Sequence, residues 1–96
     1  MTNKSIINNE KRCFVCGTIN NLHLHHIIFG NNRKNADKDG LVVYLCYNHH
    51  EGTYGVHGKY GHSLDMQLKT LAERKWLEYY NKDIDDFIKR YGRNYL

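Results

Sequence analysis

All three cysteines and six of the seven histidines lie between residues 13 and 57, and these residue types bind transition metals. Cys13 and Cys16 form a Cys-x-x-Cys pair, and Cys46 and His49 repeat the same two-residue spacing further along the chain. This spacing lets one turn present two ligands to a tetrahedral ion, and three thiolates with one imidazole are a standard zinc set. The pattern therefore predicts a structural zinc ion bound by Cys13, Cys16, Cys46 and His49. The alternative is that the cysteines are free and buried as small apolar residues. A single Cys-x-x-Cys pair would leave this alternative open, but the second half-site disfavours it.

Composition predicts the strands, turns and helix around these ligands. Residues 1–10 are polar and are expected to form a mobile arm before the cysteine knuckle. The segments "LHLHHIIF" (22–29) and "LVVYLC" (41–46) are rich in apolar and β-branched residues, which predicts two strands. Residues 30–40 contain Gly, Asn and Asp and are expected to form the loop between them. The following "YNHHEG" is expected to begin a helix.

The C-terminal third has the pattern of helices. After Ser63, a candidate N-cap, apolar residues recur at helical spacing, which predicts a helix packed into the core. A shorter helix is predicted from Asp83, its cap, to Gly92, its stop. The 96 residues therefore predict one α+β domain, with a Cys/His unit over 13–62 and helices over 63–96. The residues of the apolar stripe are Leu64, Leu68, Leu71, Ala72, Trp76 and Tyr79.

The net charge of the chain and its expected cellular compartment indicate which kinds of partner it could bind. The formal net charge is +4, and residues 1–62 hold seven Lys and Arg against four Asp and Glu. This balance favours a polyanionic partner without identifying one. The N-terminal segment lacks the apolar stretch of a secretory signal, and no apolar run approaches the roughly 20 residues that span a bilayer. We therefore expect a cytoplasmic protein with no membrane partner, where Cys-x-x-Cys binds metal more often than it forms a disulfide.

The segments "CFVC", "LHLHHI", "LCYNHH" and "VH", within residues 13–57, resemble the HNH endonucleases of the His-metal finger (ββα-metal) superfamily, in the form with a zinc knuckle. They are similar in particular to small phage and prophage nucleases, and residues 63–96 resemble the helical tails of such proteins. The resemblance implies a small ββα-metal finger, DNA as the partner, and a phage or prophage protein acting in a bacterial host cell. It leaves monomer and homodimer open.

The family pattern also implies roles for individual histidines. His26, the second His of the "HHI" strand end, matches the general base. His25 and His50 match ligands of a catalytic cation, and His57 matches the third ligand better than His62 does. A neutral imidazole can take a proton from an attacking water, while a divalent cation stabilises the leaving 3′ oxygen. The expected cation is Mg²⁺ or Mn²⁺, with Ni²⁺ or Zn²⁺ as alternatives that suit nitrogen ligands.

Further residues are candidates for contacts with DNA. His23 lies two residues before His25 on the same strand face, so it is expected to support a ligand or to contact a phosphate. Arg33, Lys34 and Lys59 are candidate phosphate contacts, and solvated loop charges are the equal alternative.

One part of the HNH pattern is missing. The middle Asn of the family has no clear counterpart, because residues 41–43 are Leu and Val. Asn31, Asn32 or Asn35 could replace it only from the segment between the strands. The residue that orients His26 is therefore not predicted by the resemblance.

Two other functions compete with a nuclease. A non-catalytic zinc-knuckle module that binds nucleic acid explains the cysteines and the charge, but it gives the remaining histidines no role. A Cys-x-x-Cys redox protein is disfavoured because no βαβ pattern surrounds Cys13.

Overall fold

The computed structural model describes residues 5–96, and this part of the chain contains two strands and four α-helices. The predicted α+β class is confirmed, with a two-stranded antiparallel sheet and a helical C-terminal part. No helix within residues 5–96 is long and apolar enough to cross a membrane. In chain order, the elements are β1 (Leu22–His26), a 3-10 turn (Gly30–Asn32), α1 (Arg33–Asp39), β2 (Val42–Cys46), α2 (Tyr47–His50), α3 (His62–Tyr80) and α4 (Ile84–Tyr91).

The two strands pair in a register that brings the Cys/His segments together. Leu22 lies opposite Cys46 and His26 lies opposite Val42. Because strand side chains alternate between faces, residues two apart on β1 share one face of the sheet. Helix α2 follows β2 without a connecting residue, so its imidazoles lie close to the end of the sheet.

Strand β1 is shorter than predicted, since it ends at His26 instead of residue 29. Ile27 still donates a backbone hydrogen bond to Leu41 at 3.0 Å, and the side chains of Ile27 and Ile28 are buried. They belong to a single apolar cluster that also includes residues of α1, β2, α3 and α4. The core therefore joins the Cys/His half to the helical third.

Residues 30–40 form a 3-10 turn and helix α1, so the loop prediction was wrong. Ala36 is fully buried, and Asn32 and Asn35 donate side-chain hydrogen bonds to backbone carbonyls of α4, at 3.0 and 3.4 Å. Gly40 ends the helix with a left-handed φ of 79°, a conformation that suits glycine. Contacts with distant residues thus stabilise a helix that the local composition does not favour.

Helix α3 begins at His62, one residue before the predicted cap, and ends at Tyr80. Three residues of the predicted stripe are buried, but Tyr79 is 66 % exposed and does not belong to the core. Its neighbour Tyr80 instead packs against the core and donates a hydrogen bond to the Asp39 carbonyl at 2.9 Å. The buried stripe residues are Leu68, Ala72 and Trp76.

Helix α4 begins and ends where predicted. The Asp83 carboxylate accepts a hydrogen bond from the Asp86 backbone N–H, and the Asp86 carboxylate accepts one from the Asp83 backbone N–H. This reciprocal pair satisfies two backbone donors at the helix start. Gly92 then ends the helix with a φ of 86°.

Part of the predicted N-terminal arm contacts the rest of the chain. The Ser5 hydroxyl donates to the Val42 carbonyl at 2.5 Å, and the Ile6 backbone N–H donates to the Gly40 carbonyl at 3.0 Å. Ile6 and Ile7 also pack against the core. Residues 1–4 of the predicted arm lie outside the described residues.

Candidate metal centre

The four residues of the predicted zinc set converge, and their ligand atoms all lie within 4.8 Å of one another. Cys13 Sγ is 3.7 Å from His49 Nδ1, Cys16 Sγ is 3.8 Å from Cys46 Sγ, and Cys46 Sγ is 3.1 Å from His49 Nδ1. Such separations suit atoms around one tetrahedral ion with Zn–S near 2.3 Å and Zn–N near 2.0–2.1 Å. This Cys3His group could therefore hold a metal ion such as zinc.

Short-range structure positions both half-sites. The Gly17 backbone N–H donates to the Cys13 carbonyl at 2.8 Å, and Gly17 adopts a φ of 79° to close the knuckle. The Phe14 N–H donates to the Tyr44 carbonyl at 2.8 Å, which fixes the knuckle along β2. His49 lies on α2, directly after the strand that ends with the third cysteine.

The environments of Cys13 and Cys46 shift the pKa values of their thiols in opposite directions. Burial raises the pKa of Cys13, but hydrogen bonds with the backbone of Cys16, Cys46 and Val15 outweigh it and lower the pKa to about 6. Burial raises the pKa of Cys46, and the neighbouring thiols raise it further. The two shifts differ in direction because backbone hydrogen bonds outweigh burial at Cys13, whereas burial dominates at Cys46. A cation bound by both sulfur atoms would favour the thiolate form of each.

A second group consists of three imidazoles from different elements: His25 on β1, His50 on α2, and His57 in the loop of residues 52–61. One ring nitrogen of each lies within 4.8 Å of those of the other two. Their ring centroids are 4.8 to 5.4 Å apart. These are the three residues that the HNH resemblance implied, and their role as ligands stays a prediction.

His25 has the most unusual environment of the three. It is only 2 % exposed, and its Nε2 is buried with no hydrogen-bond partner. Burial, with further contributions from His50 and His57, lowers the pKa of His25 to about 3, so the ring is neutral at ordinary pH. An unpartnered buried polar atom costs about 1–3 kcal/mol. A cation bound by its lone pair would remove this cost, so the three imidazoles fit a metal.

His50 lies between His25 and His23. The Nδ1 atoms of His23 and His50 are 2.9 Å apart, so one donates a hydrogen bond to the other. This leaves Nε2 of His50 for the group that contains His25 and His57. Burial and the nearby His57 and His23 lower the pKa of His50. His23, His50 and Glu51 also form a possible ligand set, in which His50 would be shared.

The loop that holds His57 is built on glycines at intervals of three residues. A Cβ atom on Gly58 would lie 1.9 Å from the Gly52 carbonyl oxygen, and one on Gly61 would lie 1.5 Å from the Gly55 carbonyl oxygen. Only glycine fits at these close approaches. The His57 backbone N–H donates to the His50 carbonyl at 2.9 Å, which brings the third imidazole to the group.

His26 points to a different partner from its neighbour His25. Its Nε2 is 3.0 Å from the Asp37 Oδ1 on α1, and the side chain of His26 is 11 % exposed. Among residues 5–96, no ring contact joins His26 to the three imidazoles. If the Asp37 carboxylate accepts from Nε2, the lone pair of His26 is on Nδ1. Asp37 was not among the predicted site residues, because residues 30–40 were expected to form a loop.

A basic pocket of about 380 Å³ opens beside this His–Asp pair. Arg33 and Lys34, the predicted phosphate contacts, line it and are exposed. Lys38 lines the same pocket. The pocket therefore concentrates positive charge next to His26, while the predicted contact Lys59 lies in the loop of His57.

The remaining sequence candidates lie elsewhere. His62 is exposed at the start of α3 and belongs to none of the three possible ligand sets found among the described residues. Asn32 and Asn35 donate to α4, and Asn31 is exposed. Within residues 5–96, no hydrogen bond joins any of the three asparagines to His26, whose partner is Asp37.

Comparison with known proteins adds no relative to this description. No family model, curated protein or solved structure matches the chain.

Proposed function

We propose that the protein is a metal-dependent endonuclease of the HNH type, which hydrolyses phosphodiester bonds of DNA. The observation that carries the proposal is the group of three imidazoles, in which the buried Nε2 of His25 has no hydrogen-bond partner. The next residue in the chain, His26, is the proposed general base. The sequence resemblance to HNH endonucleases supports the same assignment, and the Cys3His group would be a structural zinc site.

In this proposal, His25, His50 and His57 hold the catalytic cation and leave positions open for phosphate oxygens. The cation, Mg²⁺ or Mn²⁺ by expectation, would stabilise negative charge on the phosphate and the leaving oxygen. The buried, neutral state of His25 favours this role, because a protonated imidazole cannot bind a metal.

His26 would remove the proton from the attacking water. Asp37 accepts a hydrogen bond from Nε2 of His26, and this fixes both the tautomer and the orientation of the ring. The lone pair on Nδ1 is then available for the proton. Asp37 is the proposed positioning residue, in place of the Asn that the HNH pattern lacks here.

Basic side chains would bind the DNA backbone on either side of this centre. Arg33 and Lys34 line the pocket beside His26, and Lys59 lies two residues after His57. Each phosphate that they neutralise should add to the salt dependence of binding. By resemblance to the family, the products carry 5′-phosphate and 3′-hydroxyl ends.

Cleavage of supercoiled plasmid in Mg²⁺, Mn²⁺, Ni²⁺ or Zn²⁺, with and without chelator, tests the proposal. His26→Ala is expected to lose roughly 100-fold or more in rate, because it removes the general base. Asp37→Asn should lose roughly 10-fold while cation affinity stays unchanged, since the residue orients His26 and is not a ligand. His62→Ala is the matched control, because this exposed imidazole lies outside both groups, and its rate should equal that of wild type. A His26→Ala protein that cleaves at the wild-type rate would refute the mechanism.

A second candidate is a zinc-knuckle module that binds nucleic acid without cleaving it. The observation in its favour is that His26 contacts Asp37 and makes no ring contact with the three imidazoles among residues 5–96. This candidate predicts that the protein retards plasmid on a gel and leaves it intact in all four cations.

A further inference from the structure

Two tyrosines of the His57 loop are exposed side by side. Tyr54 is 71 % exposed and Tyr60 is 58 % exposed, yet their rings stack with centroids 5.5 Å apart and planes inclined by 28°. We call them the tyrosine pair. Because each ring contacts the other on one side only, the pair leaves aromatic surface open to solvent, where such surface commonly marks a binding site.

The backbone holds the tyrosine pair in place. The Tyr60 N–H donates to the Thr53 carbonyl at 2.9 Å and closes the loop on itself. The buried Val56 anchors its centre, and the Val56 N–H donates to the His49 carbonyl at 2.9 Å. The aromatic surface is therefore presented by a fixed loop that is also tied to the zinc half-site.

The tyrosine pair also lies close to the proposed catalytic cation. Tyr54 and Tyr60 are each three residues from His57, so their Cα atoms lie within roughly 11 Å of the His57 Cα even for an extended chain. At about 3.4 Å per stacked nucleotide, this distance corresponds to about three nucleotides of a DNA strand. A strand bound at the three imidazoles would thus bring its nearby bases to the tyrosine pair.

The charge beside the pair suits a nucleic acid strand. Lys59 Nζ lies 5.4 Å from the centroid of the Tyr60 ring, so a cation is held next to the aromatic surface. Binding sites for single strands combine such cations, which contact phosphates, with aromatic rings on which bases stack. In a duplex, the faces of internal bases are covered by their neighbours, so only unpaired or terminal bases can use such a surface.

We infer that the tyrosine pair is a stacking site for unpaired bases, and that the preferred substrate is DNA with single-stranded or locally unpaired nucleotides near the cleaved bond. The inference rests on the proposed function for the choice of DNA as ligand. Tyr54, the more exposed ring, stacks on a base, while Tyr60 supports it and Lys59 contacts a neighbouring phosphate.

Fluorescence anisotropy without added divalent cation tests this inference on three labelled probes. They are a single strand, the same strand paired with its complement, and the same strand with its central bases removed. Wild type should bind the single strand more tightly than either other probe. Tyr54→Ala and Tyr60→Ala should each weaken binding of the single strand roughly 10-fold, with little effect on the other two probes.

Two variants serve as controls for this experiment. Tyr54→Phe keeps the aromatic face and should bind the single strand as wild type does. Tyr79→Ala removes a tyrosine of α3 that is 66 % exposed and contacts the Tyr80 ring edge to face, and it should have no effect. Equal losses on intact and base-free strands, as a phosphate contact or a site for a protein partner would give, would overturn the inference, and so would no loss at all.

The outcomes also separate this inference from the proposed function. If wild type cleaves plasmid while Tyr54→Ala binds single strands normally, the stacking site is refuted and the nuclease stands. If wild type shows the base-dependent binding but never cleaves DNA, the stacking site stands and the nuclease is refuted. A protein that binds none of the three probes refutes the stacking site, whatever its activity on plasmid.

Discussion

Around Asp39, a buried carboxylate accepts hydrogen bonds from three side chains, whereas around Cys13 and His25 the buried ligand atoms face one another. The Asp39 side chain receives Trp76 Nε1–H at 2.8 Å and Tyr91 O–H at 2.7 Å. The Arg90 guanidinium donates twice, at 2.5 and 2.9 Å. We call these four residues the Asp39 network. By contrast, the Cys3His and three-imidazole groups consist of atoms that all offer lone pairs.

The two regions compensate the burial of their polar atoms in different ways. The hydrogen bond with Asp39 raises the pKa of Arg90, and burial together with Asp39 raises the pKa of Tyr91, so both donors stay protonated. The Asp39 network is thus complete within the protein. The ligand atoms of each Cys/His group instead lie within 4.8 Å of one another, where they could hold a metal ion.

The two regions are also linked through helix α1. Asp39 ends this helix, and its network fixes α1 against α3 and α4. Two residues earlier in α1, Asp37 binds His26. Helix α1 therefore connects the helical third to His26 of the Cys/His half.

The largest effect should come from breaking the Cys3His group. Cys46→Ser is expected to remove most of the folding free energy, which is about 5–15 kcal/mol for a domain. The reason is that structural zinc contributes about 10–16 kcal/mol in zinc-finger peptides. Native mass spectrometry should find one tightly bound zinc in wild type and none in the variant, and thermal unfolding should show the loss of stability.

Val15→Ser is the matched control for that variant. Val15 lies between the two knuckle cysteines and is 44 % exposed, so the change should leave zinc content and melting temperature close to wild type. A wild-type protein that carries no zinc and melts at the same temperature with and without chelator would contradict the prediction.

Breaking the Asp39 network should have a smaller effect that does not depend on metal. Asp39→Ala leaves the Trp76 N–H, the Tyr91 hydroxyl and the partly buried Arg90 without their acceptor. Removing one partner of a buried ion pair costs about 3–5 kcal/mol, which urea unfolding can measure. Zinc content should stay at the wild-type value.

Asp85→Ala offers a control with the same chemical change at an exposed position. Asp85 lies in the first turn of α4, where a carboxylate favours the helix by about 0.3–1 kcal/mol. Comparable losses for Asp39→Ala and Asp85→Ala would show that the Asp39 network does not stabilise the fold.

The two regions also differ in how far the sequence predicts them. The Cys3His group follows from two short spacings in the sequence, whereas the three imidazoles were implied by the resemblance to HNH endonucleases. Asp37 and Asp39 were missed because their roles depend on α1, and α1 depends on hydrogen bonds with α4, more than fifty residues later. Tyr79 was wrongly placed in the core because its position is at the edge of the helical stripe, where Tyr80 packs inward instead.

The smallest effect should be a pH dependence that belongs to the metal-binding half. His25 has a pKa of about 3 in the folded protein, against about 6.5 for an ordinary histidine in the unfolded chain. Between these values the unfolded state binds more protons, so stability is complete above about pH 6.5 and falls as the pH falls toward 3.

From about pH 7.5 to about pH 5, His25 should therefore cost roughly 2 kcal/mol of unfolding free energy. Urea unfolding of zinc-loaded protein across this range should show this loss of unfolding free energy in wild type. In His25→Leu the loss should be smaller by about the same amount, since leucine does not titrate. His62→Ala should keep the wild-type slope, because this exposed side chain lies outside the three-imidazole group. If His25→Leu and wild type have the same slope, His25 is not the buried neutral imidazole that the three-imidazole group requires.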